Sequence, residues 1–246
     1  MSPSSLPRLF GALLLLFLSD TSQAGRPLTT DDAGVAKAGS CQIESWLEHQ
    51  PGSPGPRQPQ GFVLAPACGL APGWELGYAY GRQRQLDEPA RSQSSFGIKY
   101  APSHWRGQGA LGEWHAGFRL SSNHEQSSSR NWQQTQYGLV SLLSLAISPS
   151  WTLHANLGLL RQREARRSAA SMNLAAVWSP REHGFLFLEM QANDQHPAVG
   201  PNSYALGGRW WLQKDVLGLD LSASRDDQAG SRVLWTLGLS WYGIKF

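Results

Sequence analysis

The residues able to do chemistry are scattered along the chain and few of them form motifs. A serine hydrolase needs a serine beside a histidine, with an acid or amide orienting the imidazole. Ser121, Ser122, His115, His154 and Asn156 are the residue types for it. Their spacing matches no barrel lipid hydrolase, and an enzyme acting on lipid needs them on its lipid face or rim. No catalytic residue is assigned, and the chain is expected not to be an enzyme. The seven histidines are dispersed, without a His/Cys/carboxylate pair at ligand spacing. Asp31-Asp32 and Asp226-Asp227 lack the alternating oxygen ligands of a calcium loop. Neither a metal nor a cofactor is expected. What remains is a dispersed polar set of both signs: Glu44, Glu48, Glu75, Lys99, Glu113, His115, Arg119, His154, Asn156, Glu189, Arg209 and Asp220. Such a set suits the lining of a selective pore, or a lumen closed by its own ion pairs.

These residues share a position in a repeating pattern. In Trp74 to Arg84, Trp74, Leu76, Tyr78 and Tyr80 alternate with Glu75, Gly77, Ala79 and Gly81. Period-two alternation gives a strand with an apolar and a polar face. The pattern recurs over 41–49, 61–69, 74–84, 92–100, 109–121, 132–147, 151–161, 168–178, 184–193, 203–212, 216–224 and 233–246. That predicts an all-β protein: an antiparallel transmembrane β-barrel of about twelve strands, an even number as bacterial barrels have. The last stretch ends on Phe246 and resembles the closing strand of outer-membrane barrels, whose assembly machinery reads that ending.

The connections sort into two kinds. Leu70-Ala71-Pro72, Tyr100-Ala101-Pro102, Ile147-Ser148-Pro149 and Trp178-Ser179-Pro180 are compact and end in a proline that cannot donate to a ladder. The alternate connections, such as Gln50 to Gln60 and Ser122 to Asn131, are longer and polar. Short turns at one end and long loops at the other are a barrel signature. Many of the eleven tryptophans lie near strand ends, where rings with an apolar body and a polar tip meet the membrane interface.

Composition and the N-terminus agree. Arg8, the apolar run Leu9 to Leu18 and Ser22-Gln23-Ala24 read as a cleaved signal peptide over residues 1–24. The chain is therefore expected in the outer membrane of a Gram-negative bacterium, with membrane lipid and the assembly machinery as partners. Charged residues are 16% of the chain and mean hydropathy is negative, as alternation requires. The net charge of +3 is too small to imply nucleic acid.

Residues 25–40 have no period and precede the barrel, residues 41–246. Asp31 and Asp32 in this segment are candidates for a plug that tucks into the periplasmic mouth and pairs with a lumenal cation such as Arg209 or Lys99. Cys41 and Cys68 form an even pair in an exported chain, which favours a disulfide. If residue numbers in the first hairpin sum to a constant, Cys41 opposite Cys68 sets His49 opposite Gln60. The proline-rich loop then lies between them, and Ile43 and Leu47 share a face with Phe62 and Leu64.

Arg26-Pro27-Leu28-Thr29-Thr30-Asp31-Asp32-Ala33-Gly34, followed by Gly39-Ser40-Cys41-Gln42-Ile43-Glu44-Ser45-Trp46, resembles a family of outer-membrane barrels. That family is labelled as similar to a component of the meta-cleavage (MetA) pathway of phenol degradation. The resemblance implies a transporter-like role, the passive uptake or binding of a small aromatic or hydrophobic solute. It supplies no catalytic residue.

Overall fold

The computed structural model describes residues 28–51, 60–84, 90–127, 131–196 and 200–246; the expected signal peptide lies outside them. No helix among the described residues is long and apolar enough to cross a membrane. The described residues form thirteen strands: β1 (Ser40–His49), β2 (Gln60–Ala71), β3 (Trp74–Arg84), β4 (Arg91–Tyr100), β5 (Arg106–Gly109), β6 (Gly112–Gln126), β7 (Gln133–Ser148), β8 (Trp151–Gln162), β9 (Arg167–Arg181), β10 (Gly184–Asn193), β11 (Ser203–Gln213), β12 (Leu217–Asp226) and β13 (Leu234–Lys245). Each pairs antiparallel with its neighbours.

Twelve of them make a closed barrel. β1 pairs with β13 and β4 pairs with β6, so the ring has no free edge. Closure satisfies every strand's backbone groups internally, which hydrocarbon demands. β5 is the extra strand. It folds back on the start of β6, pairing Arg106 with His115 and Gly109 with Gly112. The strand expected from Gly109 is therefore a short hairpin followed by β6. The upper end of β6 also departs from expectation. Ser122 to Gln126 continue the strand instead of opening a loop, paired with β4 and β7. Cross-strand partners on both sides override the weak strand propensity of these polar residues.

The burial pattern inverts that of a soluble protein. Leu47, Leu64, Leu157, Leu188, Leu206 and Leu237 are exposed, whereas Glu44, Lys99, Arg119, Arg209 and Asp220 are buried. Alternation places the first group outward on a lipid-facing surface and the second inward. The short turns also match the chemistry read from their residues. Pro72-Gly73 links β2 to β3 with Gly73 at φ 81°, the left-handed conformation that favours glycine after proline. Pro180, expected to end its strand, instead lies within β9. It sits at a register shift opposite the start of β10, where the missing N–H removes no ladder bond.

The first hairpin has the deduced register. Cys41 faces Cys68 and His49 faces Gln60, and the two cysteines form a disulfide with Cα atoms 4.0 Å apart.

Two outcomes test this architecture. The double variant C41S/C68S is expected to lose roughly 3 kcal/mol of stability in the chain-entropy account, read as a lower urea midpoint in vesicles. Leu188→Arg puts a cation on the lipid face of β10, where Leu188 is 63% exposed. It should cost about 2–4 kcal/mol near the bilayer midplane, measured by the same unfolding.

Candidate functional site

The interior wall holds two charge clusters. The first begins with a conflict: antiparallel register sets Lys99 on β4 directly opposite Arg119 on β6. Like charges facing each other across a ladder are destabilising. Glu75 on β3, opposite Lys99, approaches it to 4.0 Å and offsets only part of this.

The rest of the compensation comes from outside the strands. Residues 28–37 run along the inside of the barrel, and Asp31 sits between the two cations. Its Oδ1 accepts from Lys99 Nζ at 2.6 Å and its Oδ2 lies 3.2 Å from Arg119 Nη1. Asp31 is 1% exposed, so the pairs are little screened. Asp32 is half exposed, with Oδ1 3.8 Å from the same Nζ and accepting from Gly34 N. Lys99 also donates to the carbonyls of Asp32 and Gly34.

The segment is held along its whole length. Leu28 packs into an apolar pocket of Ala175, Val177 and Phe187. Glu189 accepts from the backbone N–H groups of Thr29 and Thr30 and from the Thr30 hydroxyl. Asn156 accepts from Asp31 N at 2.7 Å and donates to Asp31 O at 2.8 Å, a reciprocal amide clamp. Ala33 N donates to Ser144 Oγ, and Ala36 N donates to Glu75. The chain then passes Gly69, where a Cβ would stand 2.2 Å from the Ala36 carbonyl oxygen. A glycine inside a strand marks this close backbone approach. These anchors lie on β10, β9, β8, β7, β6, β4, β3 and β2, so the segment follows the wall until it enters β1.

The second cluster is on the β1, β11, β12 and β13 wall. Arg209 faces Asp220 in register and binds it bidentately at 2.6 and 2.9 Å, the strong geometry for a guanidinium and a carboxylate. Ser240 links the two, accepting from Arg209 and donating to Asp220. Tyr242 accepts from Arg209 and donates to Glu44 at 2.6 Å. The guanidinium also lies 5.0 Å from the Trp211 ring and 5.1 Å from that of Tyr242.

Of the residues expected inside, Glu44, Glu75, Lys99, Arg119, Asn156, Glu189, Arg209 and Asp220 are buried. Glu48 and His154 are half-buried, with Glu48 accepting from Trp46 and Gln83. His115 and Glu113 lie at the turn end of β6, His115 half-buried and Glu113 exposed. Asp31 contacts both Lys99 and Arg119 and Asp32 only Lys99, while Arg209 is committed to Asp220. Ser144, Thr30, Ser240 and Tyr242 were not singled out from sequence. Only register reveals them, since each matters through a residue distant in the chain. Ser144 Oγ lies 2.9 Å from His154 Nδ1, a serine–histidine contact, but inside the barrel and not on the lipid face. Among the described residues, no group of three or more His, Cys, Asp or Glu could hold a metal.

Removing the Asp31 carboxylate leaves two opposed cations buried. Asp31→Ala is expected to destabilise the barrel by about 3 kcal/mol. Asp32→Ala, at an exposed position, should cost below about 1 kcal/mol. Urea unfolding in vesicles of both variants checks the contrast.

Solved outer-membrane barrels share this fold. The KdgM porin matches with a TM-score of 0.58 at 8% identity, over 81% of this chain and 98% of that one. The NanC porin matches with a TM-score of 0.59 at 11% identity, over 81% and 98%. The outer membrane phospholipase A from Escherichia coli matches with a TM-score of 0.51 at 11% identity, over 84% and 93%. At such identities the likeness is one of fold alone. No curated protein sequence matches. Residues 12–240 match the family described as "Uncharacterised conserved protein UCP029691", a description that names no phenol-degradation pathway. The chain is an outer-membrane-type β-barrel that belongs to that family.

Proposed function

We propose that the protein is a passive channel for small solutes, narrowed by its own N-terminal segment acting as a plug. The observation that carries this reading is the course of residues 28–37 inside the lumen, tied to side chains of six strands. A segment lying against β2, β3, β4 and β6 to β10 leaves the β11–β12–β13–β1 side for passage and narrows the bore. Above it, the inward faces carry amides: Gln83, Gln93, Asn123, Gln136, Gln162 and Gln191. Amides offer both donors and acceptors without net charge. That lining favours small polar neutral solutes over the aromatic or hydrophobic solute implied by the sequence resemblance.

One observation favours a second reading, a structural barrel with a closed lumen. Arg209 and Asp220 form a neutral bidentate pair and Glu44 is held by Tyr242 beside the same guanidinium, so the charged groups of this cluster are engaged with one another instead of standing open to a passing ion. A lipid hydrolase is disfavoured because Ser144, His154 and Asn156 face the lumen and engage or adjoin the segment. In the same proposal Phe246, exposed after β13, is the residue that the barrel-assembly machinery reads.

Planar-bilayer conductance separates channel from closed barrel. Deleting residues 29–36 is expected to raise single-channel conductance severalfold, with heat-modifiable gel mobility confirming a folded barrel. No current from either form, both folded, refutes the channel.

A further inference from the structure

The outer surface has two aromatic belts of different chemistry. At the short-turn end the belt is tryptophan-rich. Trp74 pairs with Tyr100, and Trp151 pairs with Trp178, their rings 4.4 and 6.1 Å apart. At the long-loop end, beside the exposed Trp132 and Trp235, three outward tyrosines, Tyr80, Tyr137 and Tyr204, each have an arginine as a same-face neighbour. Tyr137 on β7 faces Arg161 on β8, and Tyr204 on β11 faces Arg225 on β12. Arg82 follows Tyr80 two residues on along β3, hence on the same face. The parity is that of the lipid-facing leucines: Leu159 precedes Arg161, and Leu221 leads through Ala223 to Arg225.

Three independent occurrences on well-separated strands make this a pattern of the surface and not of one hairpin. The ladder partners of these arginines are Phe62 and Ser92 for Arg82, Tyr137 and Ser168 for Arg161, and Tyr204 for Arg225. None of these is acidic. Arg161 donates to the neutral hydroxyl of Ser168. A tyrosine at the top of the apolar band sits at headgroup depth. A guanidinium beside it is therefore level with lipid phosphates and presents a fork matched to their oxygens.

We infer that the Tyr–Arg pairs at 80/82, 137/161 and 204/225 bind the phosphate groups of outer-leaflet lipopolysaccharide. Long loops mark this end as the extracellular one, and the outer leaflet is where a phosphorylated glycolipid stands. The tryptophan belt at the other end meets the phospholipid leaflet without this arrangement. The site assigns the protein a ring of bound glycolipid, independent of whether its lumen conducts.

The test titrates the full-length detergent-solubilised barrel with lipopolysaccharide and with its enzymatically dephosphorylated form, counting bound lipid by native mass spectrometry. The triple variant R82Q/R161Q/R225Q should bind lipopolysaccharide at least about tenfold more weakly. The parent should bind the dephosphorylated lipid as weakly as that variant does. R106Q/R181Q/K214Q, at the short-turn end, should keep the parent affinity. Equal binding by parent and triple variant overturns the site, as does parent binding that ignores the phosphates or an equal loss in the control. Should the triple variant not fold, R161Q alone and the salt dependence of the parent decide. Parent binding that does not weaken between about 50 and about 500 mM salt overturns the inference.

Discussion

A strand edge inside hydrocarbon leaves N–H and C=O groups with nothing to bond, at several kcal/mol each. Pairing of β1 with β13 removes that edge, and everything else in the molecule follows from the closure. A closed ring has an inside and an outside, so each strand must sort its residues by parity. Outside, leucines and aromatic rings meet lipid. Inside, the polar residues lose bulk water on one side and must find partners within a confined space. Soluble proteins bury carbon and expose charge; this one reverses the assignment with the same alternation rule.

Confinement makes charge balance local. On the β11–β12 wall the balance is complete within the strands, because Arg209 and Asp220 face each other in register. On the β4–β6 wall it fails, because register opposes Lys99 to Arg119. Asp31 repairs it from a segment that is no part of the sheet. The N-terminal segment is thus tied to the barrel by an electrostatic deficit in the wall as well as by the hydrogen bonds of Glu189, Asn156 and Ser144. Gly69 provides the clearance for its exit into β1. The segment proposed to narrow the lumen is therefore also one that stabilises the wall.

Fold class, the course of most strands and the lipid-facing parity were legible in the order of residues, because a strand's parity is a local property, whereas several strand ends lie one to three residues from where composition put them. Trp74–Arg84 and Gly184–Asn193 can be read to the residue. So can the first hairpin, since one pair of cysteines and one turn are enough to define a register. The miss at residues 106–126 was also local: a glycine-rich turn inside an apparently continuous strand made a hairpin, and polar residues continued a strand that composition would have ended. Which lumenal residues meet was beyond the sequence, because each such contact joins residues far apart in the chain. Asp31 could be named as a plug candidate, and Lys99 as one cation for it. That Arg119 stands beside Lys99, that Asn156 clamps the Asp31 backbone and that Arg209 belongs to Asp220 all depend on the relative stagger of several strands. The stagger is decided only when the ring closes, since closure requires every pair of neighbours to agree at once.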